Sequence, residues 1–170
     1  SLYALDYHHN KIIERVPVSK DGSGLNDNRI KCLTKGRDND IWIGTYEGGV
    51  NHYIIKEKRF EYLTVKPGRN STILSNEIND IFLSSDGLLW ISTSQGLSSY
   101  NPTTKSYRNY TYNANDSNSL SNNHVLSVHE DQNKNIWVST AFGLNKLLPN
   151  RKGFETFTKL NGLPDNYIYG

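Results

Sequence analysis

The chain contains three tryptophans, each sitting in a near-copy of one phrase, and this repetition constrains the fold more than any other feature. The copies are Asp40-Ile41-Trp42-Ile43-Gly44-Thr45, leading to Gly49-Val50; Leu89-Trp90-Ile91-Ser92-Thr93, leading to Gly96-Leu97; and Asn135-Ile136-Trp137-Val138-Ser139-Thr140, leading to Gly143-Leu144. The tryptophans are 48 and 47 residues apart, a period that belongs to four-stranded propeller blades rather than to helical repeats.

Aligning the tryptophans brings the rest of each repeat into register. Ile30, Ile78 and Val125 each open a first strand twelve residues earlier. Turn segments rich in Asp, Asn and Gly, which tolerate positive φ, separate that strand from the Trp strand. A short loop containing Gly49, Gly96 or Gly143 leads to a third strand, and the alternation of Phe60-Glu61-Tyr62, Tyr107-Arg108-Asn109-Tyr110 and Phe154-Glu155-Thr156-Phe157 marks a fourth with one wet face. Polar connections ending on Leu25, Leu74, Leu120 and Leu163 open four blades, although only three carry Trp. Leu2–Asp6 and Lys11–Arg15 match the third and fourth strands of a blade, and Tyr167–Gly170 opens a further first strand. The expected architecture is therefore all-β: a propeller fragment of antiparallel four-stranded blades, with a partial blade at 1–17, blades at 25–64, 74–111 and 120–158, and the start of another at 163–170. With no Met and Ser first, the stretch is expected to belong to a longer protein.

Composition narrows the partners. A formal charge of +2 without a cationic run argues against nucleic acid, and no apolar run approaches the ~18 residues of a membrane span. A lone cysteine, Cys32, excludes an internal disulfide framework, and its repeat position, shared with Asp80 and Ser127, reads as a slot for a small residue. An arc of blades exposes two apolar faces, so the expected partners are further blades of the parent chain or a second copy.

The phrase Leu120-Ser121-Asn122-Asn123-His124-Val125, followed by Asp131, Asn135-Ile136-Trp137-Val138-Ser139-Thr140 and Gly143-Leu144, resembles the two-component regulator propeller repeat. So do its two companions and Asn161-Gly162-Leu163-Pro164-Asp165-Asn166, which is similar to a blade opening in that family. The resemblance implies the periplasmic sensor region of a hybrid two-component sensor kinase of Bacteroidetes type. In such proteins the propellers relay glycan binding to a histidine kinase across the inner membrane. It thus implies an oligosaccharide ligand and a sensing part that is not itself an enzyme.

In a propeller the connections into first strands share a rim with the loops after the Trp strands, and loops carry function because they vary on a fixed scaffold. That rim offers Arg29, Glu77, Asn123 and His124 from the first set, and Tyr46, Glu47, Ser94, Gln95 and Phe142 from the second. Tyr46 and Phe142 are candidates for stacking on a sugar face; Arg29, Glu47 and Gln95 are candidates for bonding hydroxyls. Trp42, Trp90 and Trp137 recur once per blade and read as repeat core. The histidines give no metal-ligand spacing: His124 and His129 lie at opposite ends of one strand, about 17 Å apart at ~3.4 Å per residue. No cofactor or metal is expected, and no catalytic motif is present. The alternatives are a propeller lyase or glycosidase using rim carboxylates with His124, and a protein-interaction scaffold.

Overall fold

The computed structural model describes residues 2–6, 8–19, 21–68 and 72–168. A two-stranded antiparallel ribbon, β1 (Leu2–Asp6) and β2 (Lys11–Val16), precedes three four-stranded sheets. The first sheet is β3 (Ile30–Lys35), β4 (Ile41–Thr45), β5 (Val50–Ile54) and β6 (Arg59–Leu63). The second is β7 (Ile78–Leu83), β8 (Leu89–Thr93), β9 (Gly96–Asn101) and β10 (Ser106–Tyr110). The third is β11 (Val125–Glu130), β12 (Ile136–Thr140), β13 (Gly143–Leu147) and β14 (Phe154–Phe157). Within each sheet the strands follow chain order and pair antiparallel, as a propeller blade requires. The first strands β3, β7 and β11 adjoin one another and are innermost.

Turn chemistry sets the registers. Asn39, Gly87 and Lys134 take positive φ at one position of the three hairpins before the Trp strands, and Lys58, Lys105 and Arg151 do so between the third and fourth strands. Lys134 occupies a conformation that sequence preference gives to Asn or Gly, so the surrounding ladder overrides local cost there. After each Trp strand a threonine closes the loop: the hydroxyls of Thr45, Thr93 and Thr140 donate to the carbonyls of Gly49, Gly96 and Gly143, at 2.9, 2.8 and 3.1 Å. Those glycines have φ of +71, +134 and +100°, and at Gly49 a Cβ would run into the Leu63 carbonyl.

No blade buries both its faces alone. Trp42, Val50 and Leu63 of the first blade pack with Ile73, Ile78, Ile81, Leu89, Ile91 and Tyr100 of the second. Trp90 and Leu97 of the second do the same with the Leu120, Val125, Val128, Ile136, Val138, Leu147 and Phe154 set of the third. Trp90 is completely buried, and truncating such a side chain costs about 3–5 kcal/mol. Trp137 is only half-buried, because no further blade covers it among the described residues; it rests on Phe157 and under the Lys146 ammonium instead.

A second departure concerns the opening of the second blade. The buried residue matching Leu25 and Leu120 is Ile73, 1% exposed, and not Leu74, which is half-buried; the repeat begins one residue earlier than the Leu pattern indicates because Ile does the same packing. The strand expected from Tyr167 lies partly on residues 169–170, outside the described set, and Tyr167 and Ile168 are not in a strand.

Asparagines clip each connection to the next blade. Asn76, Asn123 and Asn166 accept, through Oδ1, the amides of Val65, Tyr112 and Lys159 at 2.8, 2.7 and 2.8 Å. The Asn76 carbonyl also accepts the Gly49 amide.

Candidate functional site

The rim is built from paired segments. The Tyr46 amide donates to the Arg29 carbonyl and the Ala141 amide to the His124 carbonyl, each at 3.0 Å, so the residue before a first strand is tied to the loop after the Trp strand. In the first blade this brings expected residues together. Arg29 Nε and Nη2 donate to the two Asp27 oxygens at 3.2 and 3.1 Å, Nη2 also reaches Glu47, and the guanidinium lies 4.7 Å from the Tyr46 ring centre. Burial alone would push the Asp27 carboxyl up; the Arg29 guanidinium and the amides of Arg29 and Glu47 outweigh it and hold the group below the usual carboxylate range. Bonding to Asp27 and then Glu47 raises Arg29 further.

Two residues of this cluster are not among the sequence candidates. Lys31 places Nζ 5.7 Å from the Tyr46 ring centre and 3.1 Å from Asn79 Oδ1, and Asn79 Nδ2 donates to the Val125 carbonyl at 2.8 Å. A register shift recurs at Ile30/Cys32, Ile78/Asp80 and Val125/Ser127, and Lys31 and Asn79 are the extra residues it leaves in the first two blades. Such a bulge is invisible in hydrophobic pattern; the only sequence signal is that Lys31, Asn79 and Leu126 differ between repeats.

The other candidates are more dispersed. Glu77 is half-buried and its amide donates to Ser75 Oγ, itself 3.5 Å from Ser94 Oγ. The Gln95 and Phe142 amides are held by the threonine hydroxyls, with the Phe142 ring 50% exposed. His124 is exposed, its amide bonded to Asn122 Oδ1. The Asn123 carboxamide oxygen is engaged in the interblade clip, a structural task that it shares with Asn76 and Asn166. None of the nine candidates lines the crevice of about 460 Å³ that sits beside Lys146, Arg151 and Glu155 of the third blade.

The opposite rim also breaks the repeat. The Trp90 and Trp137 indoles donate to Ser84 Oγ and Asp131 Oδ2, at 3.1 and 2.8 Å. That bond to Trp137, with others from Asn135, holds the Asp131 carboxyl down at about 2. Trp42 has Gly36 at this position, and the Asp40 carboxylate fills the vacated space, touching His52 Nε2. His52 in turn stacks on Trp42 at 3.7 Å. Cys32 is unsuited to nucleophilic work: burial, and then the Asp80 carboxylate, push its thiol up to about 12.

Stacked up-and-down blades joined through a recurrent tryptophan define a β-propeller repeat protein. A family model described as "Two component regulator propeller" matches residues 24–47, 72–95 and 119–142, each match spanning one Trp hairpin. No curated protein sequence matches. Among solved structures, the chain is similar to the extracellular domain of a putative hybrid two component system of B. thetaiotaomicron, at a TM-score of 0.76 and 25% identity over 91% of this chain and 22% of that one. A second such protein of that organism, described as a putative one component system, gives 0.74 and 22% over 98% of this chain and 21% of that one. Virginiamycin B lyase from Staphylococcus aureus shares the fold at a TM-score of 0.58 and 14% identity, over 88% of this chain and 45% of that one. The chain thus spans about a fifth of the length of the two B. thetaiotaomicron domains.

Proposed function

We propose that this chain is part of the extracytoplasmic, periplasmic sensor propeller of a hybrid two-component histidine kinase anchored in the inner membrane. In this reading its rim binds an oligosaccharide and passes the event on through blade packing, without turning the ligand over. The observation that carries the reading is the first-blade cluster: a Tyr46 ring 40% exposed at the rim, with the Arg29 and Lys31 cations over it and Glu47 bonded to Arg29. A flat apolar ring beside fixed donors and acceptors suits a pyranose, which has an apolar face and a belt of hydroxyls. The three matches to the family model and the extracellular domains of putative two component systems among the similar structures support the location and the signalling role.

The test is calorimetric titration with a panel of neutral and acidic oligosaccharides, followed by chromatography of each incubated glycan. The reading expects saturable binding that Tyr46→Ala and Arg29→Ala each weaken at least tenfold, with the glycan recovered intact. Cleaved glycan would favour the enzyme alternative, and binding indifferent to both substitutions would remove the site.

A further inference from the structure

Each junction between two of the four-stranded blades leaves a crevice between the fourth strand of one blade and the outer strands of the next, and the two crevices differ. At the second junction Tyr110, Ser119, Lys152 and Phe154 border a space of about 220 Å³. At the first, Leu63, Thr72, Lys105 and Tyr107 stand at the same repeat positions and border about 440 Å³. Leu63 opens the space: the Tyr110 ring reaches across to Phe154, with 5.3 Å between ring centres, whereas the shorter leucine leaves that gap toward Tyr107 empty.

The larger crevice is also chemically distinct. Tyr100 and Tyr107, their rings 4.7 Å apart, stand where the third blade has Leu147 and Phe154. Tyr100 is only 5% exposed, yet its hydroxyl bonds no described residue, and neither does that of Tyr107. Two phenols are thus held at the wall as donors without a protein acceptor. Burial pushes the Tyr107 hydroxyl up to about 12 and raises Tyr100 in the same direction, so both keep their protons. Lys66 occupies the place that Asn113 takes at the second junction, which puts two ammonium-bearing chains, Lys66 and Lys105, on the lining. The acidic residue there, Glu61, has its charge met by Arg59 Nη1 at 2.7 Å, and that bond holds its carboxyl below the usual carboxylate range. Its other oxygen, 3.8 Å from His52 Nδ1, retains the capacity to accept a hydroxyl.

We propose that this crevice is a second binding site for one acidic sugar unit, a pyranose whose carboxylate lies between Lys66 and Lys105 and whose hydroxyls are bonded by Tyr100, Tyr107 and Glu61. The uncompensated pair of ammoniums selects an anion. The volume selects a ring over a bare oxyanion, being in the range of small-molecule sites. Phenol donors beside a carboxylate acceptor select a ligand with hydroxyls. The site shares no residue with the Arg29, Lys31, Tyr46 and Glu47 cluster and does not rest on it.

The probe is sodium glucuronate, titrated into the whole chain while backbone amide shifts are followed by NMR, with glucose and inorganic sulfate titrated in parallel. Saturable shifts are expected at residues 61–66 and 100–107, with glucose and sulfate each binding about tenfold more weakly. Tyr107→Phe removes one hydroxyl and installs the ring that the third blade carries as Phe154; it should weaken glucuronate about three- to tenfold without lowering the melting temperature. Leu63→Tyr, the residue of the second junction, should fill the crevice and abolish binding while amide shifts of the third blade stay unchanged. Lys66→Gln combined with Lys105→Gln should erase the preference for glucuronate over glucose. Absence of a saturable shift, or glucuronate binding that Leu63→Tyr leaves untouched, would overturn the proposal. Shifts confined to Arg29, Tyr46 and Glu47 would overturn it in favour of the rim cluster, and sulfate binding as tight as glucuronate would overturn it in favour of a plain anion site.

Discussion

Asn145 offers the sharpest test of how the connections are held. It is fully buried on β13; its Oδ1 accepts the Ser121 amide at 3.0 Å and the Thr156 hydroxyl at 3.2 Å, and its Nδ2 donates to Ser121 Oγ at 2.8 Å and to the Val138 carbonyl at 3.3 Å. Asn51 repeats the first of these bonds in the first blade, accepting the Asn26 amide at 2.9 Å, but the second blade has Ser98, whose buried Oγ has no partner. Asn145→Ala strands the Ser121 amide, at about 1–3 kcal/mol, and forfeits other bonds worth about 0.5–1.5 kcal/mol each. The sum is about 2.5–7.5 kcal/mol, a fall in Tm on the order of 10–20 °C for a chain of this size. The reverse change, Ser98→Asn, places the longer side chain where two neighbouring blades already accommodate it and should gain about 1 kcal/mol. Urea unfolding followed by tryptophan fluorescence would measure both as shifts in midpoint at constant slope. A loss below about 1 kcal/mol for Asn145→Ala, or an Asn145→Ser variant as stable as the parent, would refute the reasoning, since serine cannot span that gap.

The half-buried Asp80 carboxyl is pushed up by desolvation more than the amides of Val128 and Ile81 pull it down. A group raised above its unfolded value of about 3.9 contributes stability below that pH and loses it as pH rises through the folded value. The stability of Asp80→Asn relative to the parent should therefore grow from pH 3 to pH 7 in paired melts, and a flat difference would contradict the assignment. Asp131 runs the other way: its carboxyl is held at about 2 by the Trp137 indole, so its contribution should persist above about pH 4 and vanish as pH falls toward 2. A change in tryptophan emission over that window, absent in Asp131→Ala, would report it. At Gly44 a Cβ would strike Cys32 Sγ and Ile78, so Gly44→Ala should cost about 1–3 kcal/mol by denaturant titration, although Ser92 and Ser139 are tolerated at the same position in the other blades.

Period and burial were legible in the sequence because they are written three times. Any position repeated at 47–48 residues must do a job common to all blades, which is how Trp42 and Trp90 read as core and Thr45, Thr93 and Thr140 as loop closures. What repetition could not supply is the effect of a neighbour. Trp137 and Leu33 carry the same residue classes as their counterparts, yet they stand half-exposed because burial at a blade face is a property of two blades. The candidate site was partly legible for a related reason. Arg29, Tyr46 and Glu47 announce themselves as unlike residues in loops, whereas Lys31 and Asn79 were hidden by a bulge that turns strand residues toward the rim.

That bulge matters for how a rim event could travel. Lys31 bonds Asn79 across the first junction, Asn79 bonds the Val125 carbonyl across the second, and Asp80 Oδ2 accepts the Val128 amide at 3.0 Å just beside it. The two ends of the Asn79 side chain thus hold both junctions on the inner strands. A ligand that draws the Lys31 ammonium away loosens the first bond and frees Asn79 to shift against the third blade. Asn79→Ala should cost about 1–2 kcal/mol for one exposed and one half-buried bond and speed exchange of the Val125–Val128 amides severalfold while leaving those of β5 and β6 unchanged. In the bound state the parent should show the same local acceleration and the variant no further change. Uniform destabilisation of all three blades, or a ligand response equal in parent and variant, would mean that the junctions do not carry the signal and that coupling runs through another part of the molecule.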